Sequence, residues 1–148
     1  MLEIPFASEE VDLSTRLFRV ILPVSDIAEA ARAYAQLLDI HGERVSPGRH
    51  YFNLGGVILA LYDPRADGDA LGDGWKHHSN QYIYIAVDEL EAAFERARKA
   101  GFSELTPIAK MPWGERLFYA VDPSGNPISV VDALTLFLGS KSAKSLDS

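Results

Sequence analysis

Four histidines, His41, His50, His77 and His78, are the side chains best suited to bind a metal or move a proton near neutral pH. Cysteine is absent, which removes disulfides, thiolate nucleophiles and Cys-ligated zinc or iron–sulfur centres together. His77 and His78 are neighbours, and neighbours on an extended chain point apart, so one shared ion is not expected. His41 follows an Ala-rich helical stretch and reads as a partner of the helix C-terminus. His50 sits beside Tyr51 and Phe52 in a strand pattern and is the histidine expected to reach a pocket. Arg19 is a cation whose planar fork suits a carboxylate, phosphate or enolate oxygen. Tyr62, Tyr82 and Tyr84 offer ring faces with hydroxyl tips, and Trp113 and Arg116 follow Pro112. Ser129 has no evident histidine partner, and no serine lies in a nucleophile-elbow sequence. The glycine-rich run GDALGDG lacks the lysine and the strand–helix context of a phosphate loop.

These residues must be positioned by elements that the apolar periodicity makes legible. Phe18 to Val24 alternates as a strand, with Phe18, Val20, Leu22 and Val24 on one face and Arg19, Ile21 and Pro23 on the other. Asp26 and Glu29 form a capping box before a helix over 27–38, striped by Ile27, Ala30, Ala31, Tyr34, Leu37 and Leu38. Strands over 43–46, 49–54 and 57–62 follow, the last two joined at Gly55–Gly56. The same order then recurs. A strand over 81–87 leads to Asp88 and Glu91, a second capping box, and to a helix striped by Leu90, Phe94, Ala97 and Ala100 and closed at Gly101. Strands near 104–108, 116–121 and 127–131 complete it, the last two joined by DPSGN. Val24 and Ile27 recur as Val87 and Leu90 at one common spacing. By the last strand, where Ala60 answers to Ser129, the spacing has grown because DPSGN replaces Gly55–Gly56. The reading is therefore α+β: two tandem βαβββ units, 17–62 and 81–132, in a single domain over 17–132. An acidic arm (1–16), a Gly/Asp-rich linker (63–80) and a short helix with a frayed tail (133–148) complete the chain.

The 148-residue chain is 47% hydrophobic and 24% charged, enough apolar content for one core. A net charge of −7, from 14 basic and 21 acidic residues, disfavours a nucleic-acid surface. No run approaches the roughly 18 apolar residues of a membrane span. The start, MLEIPFASEEVD, carries acids where a signal peptide carries lysines. A cytoplasmic protein with no nucleic-acid or membrane partner is expected.

Paired βαβββ units carrying Val20-Ile-Leu-Pro-Val-Ser-Asp26, Ala33-Tyr34, Trp113-Gly114 and Phe118-Tyr-Ala-Val-Asp-Pro-Ser-Gly-Asn126 resemble the vicinal oxygen chelate superfamily of glyoxalases, bleomycin-resistance-type proteins and extradiol dioxygenases. The resemblance implies a cup-shaped mixed sheet with helices on its convex side. Alternation then turns Arg19, Ile21, Ile58, Ala60, Tyr62, Tyr82, Tyr84, Ser129 and Val131 into the cup. Acids are missing from that lining, so a carboxylate pair for acid/base work is not expected. In metalloenzymes of the family, His, Gln or Glu from the first and last strands of each unit hold a metal. Here those positions fall on Arg19, Ala60, Tyr82 and Ser129, none a good ligand. The resemblance thus implies a protein without metal or other cofactor, one that binds an anionic or neutral aromatic small molecule. Its ligand-facing residues are expected to be Arg19, His50, Tyr62, Tyr82, Tyr84, Trp113, Arg116 and Ser129, with no catalytic residue assigned. Arg19 can instead pair with a carboxylate between the units, the tyrosines can simply fill the cup, and Trp113 can be a lid or a dimer contact. A glyoxalase- or dioxygenase-like lyase or oxygenase, using a displaced metal site at His50 or the linker histidines, is the alternative. A homodimer is expected from the resemblance, as a second chain usually covers the free sheet edges.

Overall fold

The computed structural model describes residues 15–69 and 81–138. The first unit runs β1 (Arg19–Pro23), α1 (Ile27–Leu38), β2 (Glu43–Ser46), β3 (Arg49–Leu54) and β4 (Val57–Tyr62). The second runs β5 (Ile83–Val87), α2 (Leu90–Ala100), β6 (Ala109–Lys110), β7 (Arg116–Val121) and β8 (Pro127–Asp132), followed by a 3-10 turn over Ala133–Thr135. Each unit is a four-stranded mixed sheet, ordered β1-β4-β3-β2 and β5-β8-β7-β6. The first and last strands of each unit pair in parallel, because the intervening helix carries the chain back to its starting end. Among the described residues no helix is long and apolar enough to cross a membrane.

Alternation decides which face each helix covers. Leu22, Phe52, Leu59 and Leu61 of the first sheet, and Phe118, Ala120, Ile128 and Val130 of the second, are buried in one core with both helices. Alanines on the helices (Ala30, Ala33, Ala93 and Ala97) are buried as well, and α1 packs directly on α2. Two arginines stitch that seam reciprocally. Arg32 donates to the Ala100 carbonyl (3.2 Å) at the end of α2, and Arg96 donates to the Leu37 carbonyl (3.0 Å) at the end of α1. Each satisfies a carbonyl left without a partner by the helix terminus and sits at its negative end.

The DPSGN turn plugs the second unit into the first. Asp122 Oδ1 accepts the backbone N–H groups of Ser124 (2.8 Å) and Asn126 (2.9 Å). Its Oδ2 accepts the Tyr34 hydroxyl (2.7 Å) and the Asn126 side-chain amide (2.9 Å). The same amide reaches the Pro23 carbonyl (2.8 Å) at the end of β1, and Ser25 N–H donates to Ser124 Oγ (3.0 Å). Tyr34 is fully buried, with its ring edge-on to Phe102. Burial first, then the Asp122 charge and hydrogen bond, raise its hydroxyl well above the ordinary tyrosine value of 10.0.

Three expectations need correction. The strand near 104–108 does not form: Glu104 has φ +52 and Pro107 has no N–H, so the segment meets β7 only through a Ser103–Val121 bridge and the Thr106 N–H on the Tyr119 carbonyl (3.0 Å), and β6 is displaced to Ala109–Lys110. Thr106 Oγ1 accepts the Tyr119 N–H there (2.9 Å). Asp88 does not cap α2; Glu89 occupies that position without a side-chain bond, and Glu91 turns instead to Arg116 (2.8 Å). The first part of the 63–80 segment folds back on its own unit. Asp67 accepts from Gly48 N–H (2.5 Å), Ser46 Oγ (2.9 Å) and Arg49 (2.7 Å), while Asp63 N–H donates to the Gly48 carbonyl (2.8 Å). Gly48 is required because a Cβ would run into the Asp63 carbonyl. Of the C-terminal helix, one 3-10 turn is present before the described residues end.

Tyr34→Phe removes one donor from a buried carboxylate and should lower the unfolding free energy by about 1–3 kcal/mol. Asp122→Ala, which also strands the turn's N–H groups, should cost more; unchanged urea midpoints for both would refute the plug. Because the Tyr34 value is raised on folding, its stabilisation is complete below the unfolded value near 10 and is lost as pH rises beyond it. Tyr34→Phe should therefore flatten the alkaline loss of stability, by up to about 1.4 kcal/mol per pH unit for one proton. Equal alkaline slopes for the two proteins would count against this.

Candidate functional site

The face of each sheet away from the helices is organised in rows by strand register. In the first unit Arg19, Ile58 and Asn53 form one row, Ile21, Ala60 and Tyr51 the next, and Pro23, Tyr62 and Arg49 the last. Arg19 is exposed, with its guanidinium 4.8 Å from the Phe18 ring and 5.5 Å from the Tyr51 ring. Those aromatic faces stabilise a cation without neutralising it. Among the described residues it makes no ion pair. The last row is sealed. Arg49 lies 4.2 Å over the Tyr62 ring, the Tyr62 hydroxyl bonds Asp69, and Asp67 and Asp69 both pair with Arg49. The Asp69 hydrogen bond is the first cause raising the Tyr62 hydroxyl above its ordinary value.

In the second unit Tyr84, Ser129 and Tyr119 share a row. Tyr119 is the hub of an aromatic group, edge-on to Tyr82 (centroids 5.7 Å apart) and to Tyr84 (6.4 Å). Its hydroxyl lies 3.3 Å from that of Tyr84. That hydrogen bond first, then partial burial and the neighbouring Tyr119, Glu115 and Tyr82, push Tyr84 up to about 12. Tyr84 is therefore protonated at neutral pH, and either hydroxyl of the Tyr84–Tyr119 pair can donate to the other. Ser129 lies beneath the two rings, fully buried, with its hydroxyl on the Phe118 carbonyl (3.3 Å). Trp113 stands at the edge of this face, half exposed, with its indole N–H on Glu115 Oε1 (2.8 Å).

Two residues expected at the cup lie on the helix side instead. His50 shares its face with Phe52, 5.0 Å from its ring, and pairs in register with buried Leu61. Its ring is engaged by Arg44 Nε (3.3 Å) and the His41 carbonyl (2.9 Å). Arg116 shares the face of Phe118 and bridges Glu91 (2.8 Å) to Asp132 (3.2 Å). This pairing raises the guanidinium value and lowers that of Glu91. Parity predicts both placements, since each residue stands two before a core phenylalanine. The same parity marks Tyr51 and Tyr119, which the sequence reading missed, as cup residues. Glu115, Asp67 and Asp69 add acids around the cup that no strand pattern signals, because tertiary contacts place them.

The strands β1 and β5 have no hydrogen-bonded neighbour on their outer sides among the described residues. They border a cleft of about 1150 Å³, with Ile21 and Ile58 on one side and Tyr82, Tyr84 and Ala86 on the other. The four positions where the resemblance implies metal ligands do not fit a divalent ion. Arg19 carries positive charge, Ala60 has no donor atom, Tyr82 offers a phenol, and the Ser129 hydroxyl is committed to a carbonyl. Among the described residues no group of three or more His, Asp or Glu is placed to hold a metal. His77 and His78 lie outside the described residues.

Solved structures share this fold at low identity. A glyoxalase-related enzyme from Fulvimarina pelagi superposes with TM-score 0.64 at 20% identity, covering 79% of this chain and 87% of that one. A glyoxalase/bleomycin resistance protein/dioxygenase from Nocardioides gives 0.57 at 24% identity, covering 91% and 93%. A lactoylglutathione lyase from Agrobacterium tumefaciens gives 0.60 at 18% identity, covering 80% and 93%. No curated protein sequence matches the chain. The model of the Glyoxalase/Bleomycin resistance protein/Dioxygenase superfamily matches residues 16–130, and with the paired βαβββ units in place the chain belongs to that superfamily.

Proposed function

We propose that this protein binds an anionic or neutral aromatic small molecule in the cup without a metal ion, with Arg19 receiving the anionic or polar end. The observation that carries the reading is Arg19 itself. It is an exposed cation braced by two aromatic rings, and no carboxylate among the described residues neutralises it. A guanidinium so placed has its N–H fork available to a planar oxyanion. The tyrosines support the other end of such a ligand, as neutral ring faces with hydroxyl donors. A cationic compound is disfavoured at the same place by the Arg19 charge. Metal independence is supported by the misfit of the four family positions. A displaced centre gains no support from His50, which sits on the other side of its sheet. The homodimer belongs to the same proposal, supported by the free edges of β1 and β5 and by exposed Leu17, Phe18 and Ile21 along β1.

Calorimetric titration with aromatic acids such as benzoate and 1-naphthoate tests the proposal. Arg19→Ala should weaken binding by about 10- to 100-fold, the loss of a charge-assisted pair of roughly 1.5–3 kcal/mol. Arg19→Lys should recover only part of it. Binding by wild type that ignores Arg19, or no binding at all, would sink the reading. Elemental analysis after dialysis should find no stoichiometric divalent metal; one ion per chain would overturn metal independence. Sedimentation should give twice the mass of the 16.3 kDa chain, and a monomer at micromolar concentration would remove the dimer.

A further inference from the structure

The tyrosine face continues into a second hollow, of about 470 Å³. Its floor is Tyr84, Ala86 and Val131, and its outer wall is Trp113 with residues 136–138. Tyr84 and Ala86 also border the large cleft, so the two spaces share a wall. One carboxylate builds the outer wall. Glu115, 9% exposed, accepts the Trp113 indole N–H at Oε1 (2.8 Å) and the Phe137 backbone N–H at Oε2 (2.9 Å). Its carbonyl accepts the Met111 N–H (2.7 Å), closing the turn that carries Trp113. Thr135 Oγ1 takes the Arg116 N–H (3.1 Å), so the segment after β8 is tied to β7 at two points. The walls are not core: Tyr84, Trp113 and Phe137 are 51%, 45% and 39% exposed, and Ala86 is exposed too.

The chemistry of this lining specifies what it accepts. Glu115 also lines the hollow; each of its oxygens already accepts one fixed N–H, and no cationic side chain stands in the lining. That negative carboxylate repels an anionic group. Three aromatic side chains and several aliphatic ones, around a volume within the range of small-molecule pockets, suit a flat ring. We propose that the hollow is a subsite for the uncharged ring portion of the ligand, and that Glu115 is a positioning residue holding Trp113 and residues 136–138 against it. This rests on the cup being a small-molecule site, but not on Arg19.

The test compares 1-naphthol, which is neutral, with 1-naphthoate. Wild type should bind both. Ala86→Leu, which fills the hollow from an exposed strand position, should weaken 1-naphthol at least tenfold, while Ala86→Ser should retain it. Arg19→Ala should leave 1-naphthol within twofold and weaken only the naphthoate. Glu115→Gln, which cannot accept both N–H groups in the same geometry, should weaken 1-naphthol several-fold. In a Trp75→Phe background it should also make Trp113 fluorescence more accessible to acrylamide. The proposal falls if 1-naphthol does not bind, or if Ala86→Leu binds it as wild type does. It also falls if Ala86→Leu changes the oligomeric mass while 1-naphthol affinity holds, since a second copy then occupies the hollow. Loss of naphthoate binding in Arg19→Ala alongside any of these results leaves the proposed function standing and removes only the subsite.

Discussion

Asp122 accepts four hydrogen bonds from the Tyr34 hydroxyl, the Asn126 amide and two backbone N–H groups, and the relative placement of the two sheets depends on it. Among the described residues, no strand of the first sheet is hydrogen-bonded to a strand of the second. The units are joined by the α1–α2 seam and by the turn that Asp122 organises, whose Asn126 reaches the Pro23 carbonyl at the end of β1. β1 carries Arg19, and the sheet behind the turn carries Tyr84 and Tyr119. A buried carboxylate is costly unless its lone pairs are filled, and here they are. Asn126 Oδ1, on the same turn, is buried with no hydrogen-bond partner among the described residues. The motif through which the chain most resembles its family is therefore the joint that sets the two halves of the cup against each other.

The joint is one-sided. At the spacing that relates the units, Tyr34 answers to Ala97, and Asp122–Asn126 answers to the shorter Gly55–Gly56 turn. Asn53 Oδ1 accepts the Gly56 N–H (2.9 Å), so the first unit keeps the internal turn bond. What it lacks is a side chain long enough to reach the other unit. Gly55 consequently borders open space, and the cleft between β1 and β5 lies against that turn and Val87. A duplicated frame with unequal turns thus yields a clamp on one side and a cavity on the other.

Element types and register were legible because alternation and capping chemistry act locally. Helix 27–38 and strands 43–46, 49–54, 57–62 and 116–121 follow from residues within a few positions of each other. The face assigned to His50 and Arg116 was also legible from Phe52 and Phe118, two positions on, had the core phenylalanines been used as the parity reference. The contacts that the sequence could not reveal span long separations. The fold-back of Asp67 onto Gly48 and Arg49, the Glu115 tie to Phe137, and Thr106 substituting for a strand at β7 each depend on where two distant segments meet. Pro107 and Glu104 did carry a warning against a regular strand.

Charge completes the account of the cup. The chain carries a net −7, yet the cation braced at Phe18 and Tyr51 has no counter-ion among the described residues, while several acids around the cup are already engaged. Asp67 and Asp69 are held by Arg49 and its neighbours at one end, and Glu115 holds Trp113 and Phe137 at the other. An acid that spends both oxygens on fixed donors shapes the cup without offering itself to a ligand. The Glu115 charge adds to the raising of the Tyr84 hydroxyl, behind the Tyr119 hydrogen bond and partial burial. Charge around the cup is therefore uneven, with an unpaired cation on the first sheet and the buried carboxylate of Glu115 beside the second. Such a field favours one orientation of an asymmetric ligand over the other, and salt weakens the preference because Arg19 is exposed.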